Sequence, residues 1–290
     1  MRKNFKSDPI RRTIADSRNQ STSLPLTESM RWVGRLAAVS TLLACISPAS
    51  AADMAVPVKA APAPVYQWSG CYIGLNVGGG ATGSNFSTGV DPGTYLVGTD
   101  PATVAATGTG AHGGDGLLAG GQVGCNLQSG LLVFGLEGDF DYFNSNPFFE
   151  NPTQTLNAGT PFNIKQSLST DYLATIRPRI GIAANRNLAY LTAGAAFTRA
   201  SYAETYLDQA APPAFGTATG SKSLVGWVAG AGWEYAFIDH WTFKAEYLYA
   251  SFPKVSGLGA IVDPGVGVNT LHGSGDLTVQ LLRAGVNYRF

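Results

Sequence analysis

The sequence predicts an all-β protein, an eight-stranded antiparallel up-and-down transmembrane β-barrel with short periplasmic turns and four long extracellular loops. Three observations carry this prediction. Apolar and polar residues alternate over eight segments, as they do in strands whose two faces meet different surroundings. The connections between these segments are alternately long and short. Only 13% of the residues are charged, whereas aromatic residues make up 11% and glycine occurs 36 times.

Composition limits the class of protein before any motif is considered. Charged residues are about half as frequent as in a typical soluble domain. The formal net charge is zero, so no basic surface for nucleic acid is indicated. Hydrophobic residues amount to 45%, yet no stretch approaches the roughly 20 apolar residues of a membrane-spanning helix. Short alternating segments rich in glycine and aromatic residues are typical of an all-β chain.

Residues 30–51 have the three parts of a secretory signal. Two arginines precede an apolar run over 36–46, and Ala49-Ser50-Ala51 follows as the expected cleavage site. The stretch LLAC at 42–45 also resembles a lipoprotein acylation site. The small-residue cleavage site that follows so closely favours the secretory signal.

The rest of the chain divides around this signal. Residues 1–29 are polar and are interpreted as an extension of the signal or as a mis-assigned start, with translation beginning at Met30. Residues 52–67 are a proline-rich periplasmic lead-in. Residues 68–290 form the predicted barrel.

Eight segments of period two are the candidate strands. They cover 68–80, 117–127, 131–143, 171–184, 188–202, 223–237, 240–252 and 276–290. Three connections are tight turns, and four are long and rich in Gly, Pro, Thr and Asn. The long connections cover 81–116, 144–170, 203–222 and 253–275. An even number of strands, with turns at one end and loops at the other, is the plan of an outer-membrane barrel.

The apolar face of the strands is expected to meet lipid. In 225–235 the odd positions are apolar, with Trp227, Trp233 and Tyr235 among them, and the even positions are mostly glycine. Eight strands enclose only a packed layer of side chains, which so many aromatic rings would overfill. Aromatic residues near strand ends are predicted to form two interfacial girdles. These are Trp68, Tyr142, Trp241, Tyr249, Tyr288 and Phe290.

Several stretches together resemble the porin-like small outer-membrane proteins of alphaproteobacteria, surface antigens with an OmpA-type barrel. They include WSGCYIGLNVGGG, GGQVGCNLQSGLLVFGLEGDF, VGWVAGAGWEYAF, HWTFKAEYLY and GVNYRF. The resemblance implies a place in the cell outer membrane, with both barrel ends in the periplasm. It implies contact with outer-membrane lipid and lipopolysaccharide, and with periplasmic chaperones. It also implies that the barrel-assembly machinery reads Tyr288 and Phe290 as an assembly signal.

Charged residues are predicted on the inward face of the strands. They are Glu137, Asp139, Asp141, Arg177, Arg179, Glu234, Lys244, Glu246, Arg283 and Arg289. Buried charges must be paired to be tolerated, so a plug of salt bridges that closes the lumen is favoured. A gated or narrow polar pore is the alternative. Paired carboxylates acting as general acid and base are disfavoured, because the pattern indicates no cleft.

The remaining motifs indicate no enzyme and no cofactor. GGGATG at 78–83 matches a dinucleotide fingerprint, but neither a following helix nor a βαβ unit is predicted. His112 and His272 fall in the first and last long loops, where a metal or haem role is an alternative to simple solvation, and His240 falls in a turn. No histidine lies within a predicted strand, as the dyad of a barrel-wall hydrolase would require.

Cys71 and Cys125 are a candidate disulfide. Both lie about three residues from the periplasmic end of neighbouring antiparallel strands, and both share the outward parity. Directly opposed residues have Cβ atoms about 4.5–5.5 Å apart, close enough for bonding after modest adjustment in an oxidising compartment. Two free thiols packed as small hydrophobes are the alternative.

Two functions follow from these features. One is a structural protein of the Gram-negative envelope that displays its loops outside the cell, with a plugged lumen. The other is a narrow porin-like channel for small solutes. The loop lengths and the predicted charge pairs favour the first.

Overall fold

A computed structural model gives the architecture, and it describes residues 66–145 and 147–290. The interpretations of residues 1–29 and 30–51, and of all but the last two residues of 52–67, lie outside the described part of the chain. None of the described helices is long and apolar enough to cross a membrane.

Ten strands and one short helix make up the described chain. The elements are β1 (Gly70–Val90), α1 (Asp100–Thr107), β2 (Gly110–Ser129), β3 (Leu132–Ser145), β4 (Phe148–Glu150), β5 (Gln154–Thr155), β6 (Pro161–Ala184), β7 (Asn187–Asp208), β8 (Phe215–Ile238), β9 (Trp241–Asp263) and β10 (Gly267–Arg289).

Eight of these strands form a closed antiparallel ring, which confirms the predicted barrel. The order around the ring is β1, β2, β3, β6, β7, β8, β9 and β10, and β10 pairs with β1. The small strands β4 and β5 pair with β6 outside the ring. Closure removes the free sheet edges that the hydrocarbon core of a bilayer cannot accommodate.

The ring strands are longer than predicted, and two of the four predicted long loops are short. β6 and β8 have 24 residues each, about twice the 9–11 that span a bilayer. The connections predicted over 203–222 and 253–275 are mostly strand, with turns only at 209–214 and 264–266. The period of two continues there, but small polar residues replace the outward apolar ones, so the pattern resembles loop composition.

The outward face changes character along each strand. Near the turn end of β1, Ile73, Leu75 and Val77 are exposed, whereas Asn85 and Ser87 occupy the same face further along. β7 shows the same change, from Leu191 to Arg199 on one face, whereas exposed apolar side chains recur toward the extracellular tip, at Phe215 and Leu258. We call the outward apolar zone the membrane band, and it includes Leu117–Leu127 of β2, Val225–Tyr235 of β8 and Trp241–Tyr249 of β9. The strands therefore extend beyond the bilayer at the end of the long loops, the extracellular end.

The inward face changes in the opposite sense. Within the membrane band the interior is polar and charged. From the level of Leu248, at the extracellular edge of the band, outwards it is filled by an apolar cluster that includes Phe86, Phe143, Leu173, Leu248 and Leu281. A second apolar cluster, to which Leu96 and Val104 of the first loop contribute, closes the extracellular tip. The extracellular half thus has the pattern of a soluble barrel.

Trp68 lies inside the barrel and not in an interfacial girdle, so that sequence prediction was wrong. Its side chain is fully buried and packs with Val133, Ala183 and Leu188 at the periplasmic mouth. Its indole Nε1 donates to the carbonyl O of Asn185 at 3.3 Å. Trp68 precedes β1, so strand parity does not determine its direction, and the open mouth accepts the ring.

The loss of unfolding free energy caused by a charged residue on the outward face should depend on its position along the strand. We expect Leu75→Arg, within the membrane band, to reduce the free energy of unfolding by about 2–4 kcal/mol, because the cation would lie in hydrocarbon. Ser87→Arg, on the same face of β1 beyond the band, should cost less than about 1 kcal/mol. Urea titration of both variants in lipid vesicles measures the difference. Equal losses would contradict the assigned band.

Candidate functional site: a charged cluster across the barrel lumen

Nine ionisable side chains meet in the lumen within the membrane band, and we call them the lumen cluster. They are Glu137, Asp139 and Asp141 of β3, Arg177 and Arg179 of β6, Glu234 of β8, Lys244 and Glu246 of β9, and Arg283 of β10. All are buried. Arg289 also faces inward but lies at the periplasmic mouth, where it donates to the hydroxyl of Tyr66 and the carbonyl O of Ser69.

Strand register brings acids opposite bases. Glu137 is the direct cross-strand partner of Arg177. Glu234 is opposite Lys244, and Arg283 is opposite Glu246. Because the period of two sends each of these side chains inward, neighbouring strands deliver opposite charges to the same height.

Other ion pairs of the cluster cross the lumen. β3 and β9 stand four places apart in the ring of eight and are therefore on opposite walls. Lys244 Nζ of β9 nevertheless lies 2.8 Å from Glu137 Oε1 of β3. Arg177 Nη2 also contacts Glu137 Oε1, at 2.7 Å. The centre of the barrel is thus occupied by contacting side chains at this level.

The remaining acids and bases are joined to the same cluster. Arg283 contacts Asp141 Oδ2 at 2.7 Å, Asp139 Oδ2 at 3.0 Å and Glu246 Oε2 at 2.7 Å. Arg179 contacts Glu234 Oε2 at 3.3 Å. Five carboxylates therefore share four cations, so every cation in the cluster has more than one acidic neighbour.

Neutral polar side chains complete the cluster, and the sequence analysis did not identify them. Tyr72 donates its hydroxyl to Glu137, and Tyr190 donates to Glu246 at 3.0 Å. Thr242 and Asn287 donate to Glu234 Oε1 at 2.6 and 2.7 Å. All four have the inward parity of the charged residues, which is the signal that would have included them.

Aromatic rings and a glycine fix the position of the arginines. The guanidinium of Arg179 lies between the rings of Tyr72 and Tyr190, 4.9 and 5.0 Å from their centroids. Gly194 faces Arg177 from β7, and a Cβ at this position would overlap the carbonyl O of Ile176. Glycine on the inward face therefore leaves the volume that the large side chains fill.

A separate buried polar group lies beyond the membrane band. Glu204 accepts hydrogen bonds from Tyr202 and Thr88, and no cation contacts it in the described chain. Burial raises the pKa of the Glu204 carboxyl above its usual range, since removal from water disfavours the ionised form. Gln166 joins this group through Thr88 and the carbonyl O of Gly108.

The other predicted residues are placed as follows. Cys71 and Cys125 are direct partners on β1 and β2 and are disulfide-bonded. Tyr288 and Phe290 project outward at the periplasmic end of the last ring strand. Residues 78–83 lie within β1, and no helix follows them directly.

The histidines do not come together. His112 stacks on Phe149, with ring centroids 3.3 Å apart, and burial lowers its pKa. His272 contacts Asp91 on the outer surface at 2.6 Å, and His240 contacts the carbonyl O of Arg289. Among the residues of known placement there is no group of three or more His, Cys, Asp or Glu that would hold a metal ion.

Comparison with known proteins identifies the family that has this architecture. The family model described as "Outer membrane protein beta-barrel domain" matches residues 39–290. The chain belongs to this outer-membrane β-barrel family. It is therefore a protein of the outer membrane, as its lipid-facing band indicates.

Individual relatives extend the comparison. The chain is 31% identical over 265 residues to the "31 kDa outer-membrane immunogenic protein" of Brucella melitensis, covering 88% of this chain and 98% of the relative. It is 28% identical to the "25 kDa outer-membrane immunogenic protein" of the same organism, over a match that covers 68% of this chain and 71% of the relative. Among solved structures, OprG of Pseudomonas aeruginosa matches 78% of this chain and 99% of its own, with 13% identity and a TM-score of 0.37.

Removal of a lumen cation should be far more costly than removal of a surface cation. We expect Arg177→Met to reduce the free energy of unfolding by about 3–5 kcal/mol, because Glu137 and Asp139 lose a buried partner. Arg186→Met is the matched control, since Arg186 forms an exposed pair with Asp239 and should contribute less than about 1 kcal/mol. Urea unfolding in vesicles measures both. Similar losses for the two variants would contradict a tightly coupled lumen cluster.

Proposed function

We propose that this outer-membrane barrel is a non-enzymatic structural and surface-display protein whose lumen is closed to solutes. The observation that carries the proposal is the Lys244–Glu137 contact of 2.8 Å between opposite walls. A hydrated path along the barrel axis would have to separate these charges. Separation would leave buried ions without partners, which costs several kcal/mol.

A second barrier supports the closed lumen. The apolar cluster of Phe86, Phe143, Leu248 and Leu281 fills the barrel on the extracellular side of the charges. Ions entering from outside would meet this apolar layer before the polar one, and transfer of a charge into such surroundings is unfavourable.

The extracellular end supports display. Two longer connections cover residues 91–109, which include α1, and residues 147–160, and the ring strands carry them beyond the membrane band. Two relatives of this chain are named immunogenic proteins. We propose that these connections are the surface that antibodies or other external molecules meet.

A narrow channel for small solutes is the second candidate. The charged interior within the membrane band favours it, because a polar lumen is also what a channel requires. The contacts across the lumen and the apolar layer count against it.

Assembly and lipid contacts complete the proposal. Tyr288 and Phe290 are outward aromatic residues at the end of the last ring strand, where we propose that the barrel-assembly machinery recognises them. Periplasmic chaperones, outer-membrane lipid and lipopolysaccharide are the other proposed partners.

Electrical recording separates the two candidates. We expect the refolded protein to show no sustained conductance in planar bilayers, because the charged and apolar layers both close the lumen. Heat-modifiable electrophoretic mobility of the same sample provides the control for a folded barrel. Sustained, salt-dependent conductance of the folded protein would contradict closure and support the channel.

Surface labelling tests display independently. Val97 is exposed in the 91–109 connection, and Leu131 is exposed in the turn between β2 and β3 at the opposite end. We expect Val97→Cys to react with a membrane-impermeant maleimide on intact cells, and Leu131→Cys to react only after the outer membrane is permeabilised. Labelling of Leu131→Cys alone on intact cells would reverse the orientation and remove the display role.

A further inference from the structure

Three exposed cations lie on three consecutive ring strands. They are Arg199 of β7, Lys222 of β8 and Lys254 of β9, and we call them the outer cation patch. Their height relative to the membrane band is similar. Arg199 is two residues beyond Phe197, Lys222 is three residues from Val225, and Lys254 is five residues beyond Tyr249.

This height corresponds to the headgroup region of the outer leaflet. Two to five residues of strand extend about 7–16 Å, before strand tilt is taken into account. The cations are thus close enough to the band for lipid headgroups to reach them, yet outside the hydrocarbon. Long basic side chains are favourable at this boundary because their stems can lie against apolar surface.

Irregular strand pairing accompanies the patch. The β8–β9 ladder changes register between Thr219↔Leu258 and Trp227↔Ser251, and both lysines lie in this interval. Pro253 and Lys254 are exposed in succession, which breaks the alternation of β9. Bulges of this kind redirect side chains, and here they leave both lysines exposed.

The patch residues differ from the other exposed Lys and Arg side chains in having no carboxylate within ion-pair distance. Ten Lys and Arg residues occur in 66–290, and four of them belong to the lumen cluster. Arg289 lies at the periplasmic mouth, whereas Lys165 and Arg186 pair with Glu150 and Asp239. Among the exposed Lys and Arg side chains of the described ranges, the three patch residues are therefore the ones with no acid within ion-pair distance.

Neighbouring groups suit an anionic ligand. Arg199 Nε donates to Ser221 Oγ at 3.1 Å, so a hydroxyl connects Arg199 to the strand segment that holds Lys222. Asp276 lies opposite the β9 bulge, but its carboxylate accepts hydrogen bonds from Asn85 on the other side. Trp227, exposed directly below the patch, lies against Tyr249 with ring centroids 5.4 Å apart and offers an apolar surface to an acyl chain.

We infer that the outer cation patch binds a phosphate group of a phosphorylated glycolipid in the outer leaflet. The phosphate would lie among Arg199, Lys222 and Lys254, and the acyl chains would lie along the membrane band beside Trp227. The inference rests on the lipopolysaccharide contact proposed above, for which it names a site, and it is independent of whether the lumen conducts.

Native mass spectrometry of the refolded full chain in detergent tests this site. The probes are diphosphoryl lipid A and the same lipid with both phosphates removed. We expect the wild-type protein to retain diphosphoryl lipid A and to bind the dephosphorylated lipid at least tenfold more weakly. Each basic residue near an anionic surface contributes about a fivefold effect, so the combined Arg199→Gln, Lys222→Gln and Lys254→Gln variant should bind on the order of 100-fold more weakly.

Controls keep each outcome decisive. Lys165→Gln, which removes an exposed and paired cation of β6, should bind lipid A as the wild type does. If the triple variant does not fold, Lys222→Gln alone should show a loss of about fivefold. Unchanged binding by the triple variant, or equal binding of dephosphorylated lipid, would overturn the inference. Displacement of lipid A by millimolar inorganic phosphate would assign the site to free phosphate and overturn the lipid assignment.

Discussion

The ion pair between Glu137 and Lys244 joins opposite walls of the barrel, and the organisation of the interior depends on it. A bilayer requires that every backbone group within it be paired, and a closed ring of eight strands meets this requirement. Such a ring is narrow, so inward charges from opposite walls meet at its centre. Once they meet, each charge must keep its partners, because a buried ion without one is very costly. Closure of the ring and occupation of the lumen are therefore linked.

Each ring strand meets lipid on its outward face along one part of its length and water along the other. Near the periplasmic turns, lipid outside requires apolar outward residues, and polar residues are directed inward. Beyond the membrane band, water outside accepts serine and asparagine, and the interior is apolar. The reversal occurs within single strands such as β1, where Leu75 and Ser87 share a face. Strand pairing continues across the boundary because backbone hydrogen bonds do not depend on which face is apolar.

Much of this arrangement could be predicted from the sequence because strand parity is strict. Parity placed Glu137, Arg177 and Lys244 inside, and it placed Cys71 and Cys125 on one outward face. Composition was less informative beyond the bilayer. In 203–222 and 253–275 the small polar residues that suit a water-facing strand also suit a loop, so the length of β7–β10 was missed.

Features that depend on three-dimensional packing could not be predicted from the alternation of apolar and polar residues. Trp68 precedes the first strand, and only the open periplasmic mouth determines that its ring turns inward. The helix α1 and the register change between β8 and β9 likewise depend on how connections and neighbouring strands fit together. The outer cation patch could not be recognised before that register was known, since Lys222 has the parity of an inward residue.

A double-mutant cycle on Glu137 and Lys244 tests the central claim most directly. Glu137→Gln, Lys244→Met and the combined variant would be compared by urea unfolding in lipid vesicles. A direct contact across the lumen predicts a coupling free energy of about 0.5–3 kcal/mol, with the combined variant more stable than the sum of the single losses implies. Additive losses would contradict a contact between opposite walls, and with it the closed lumen.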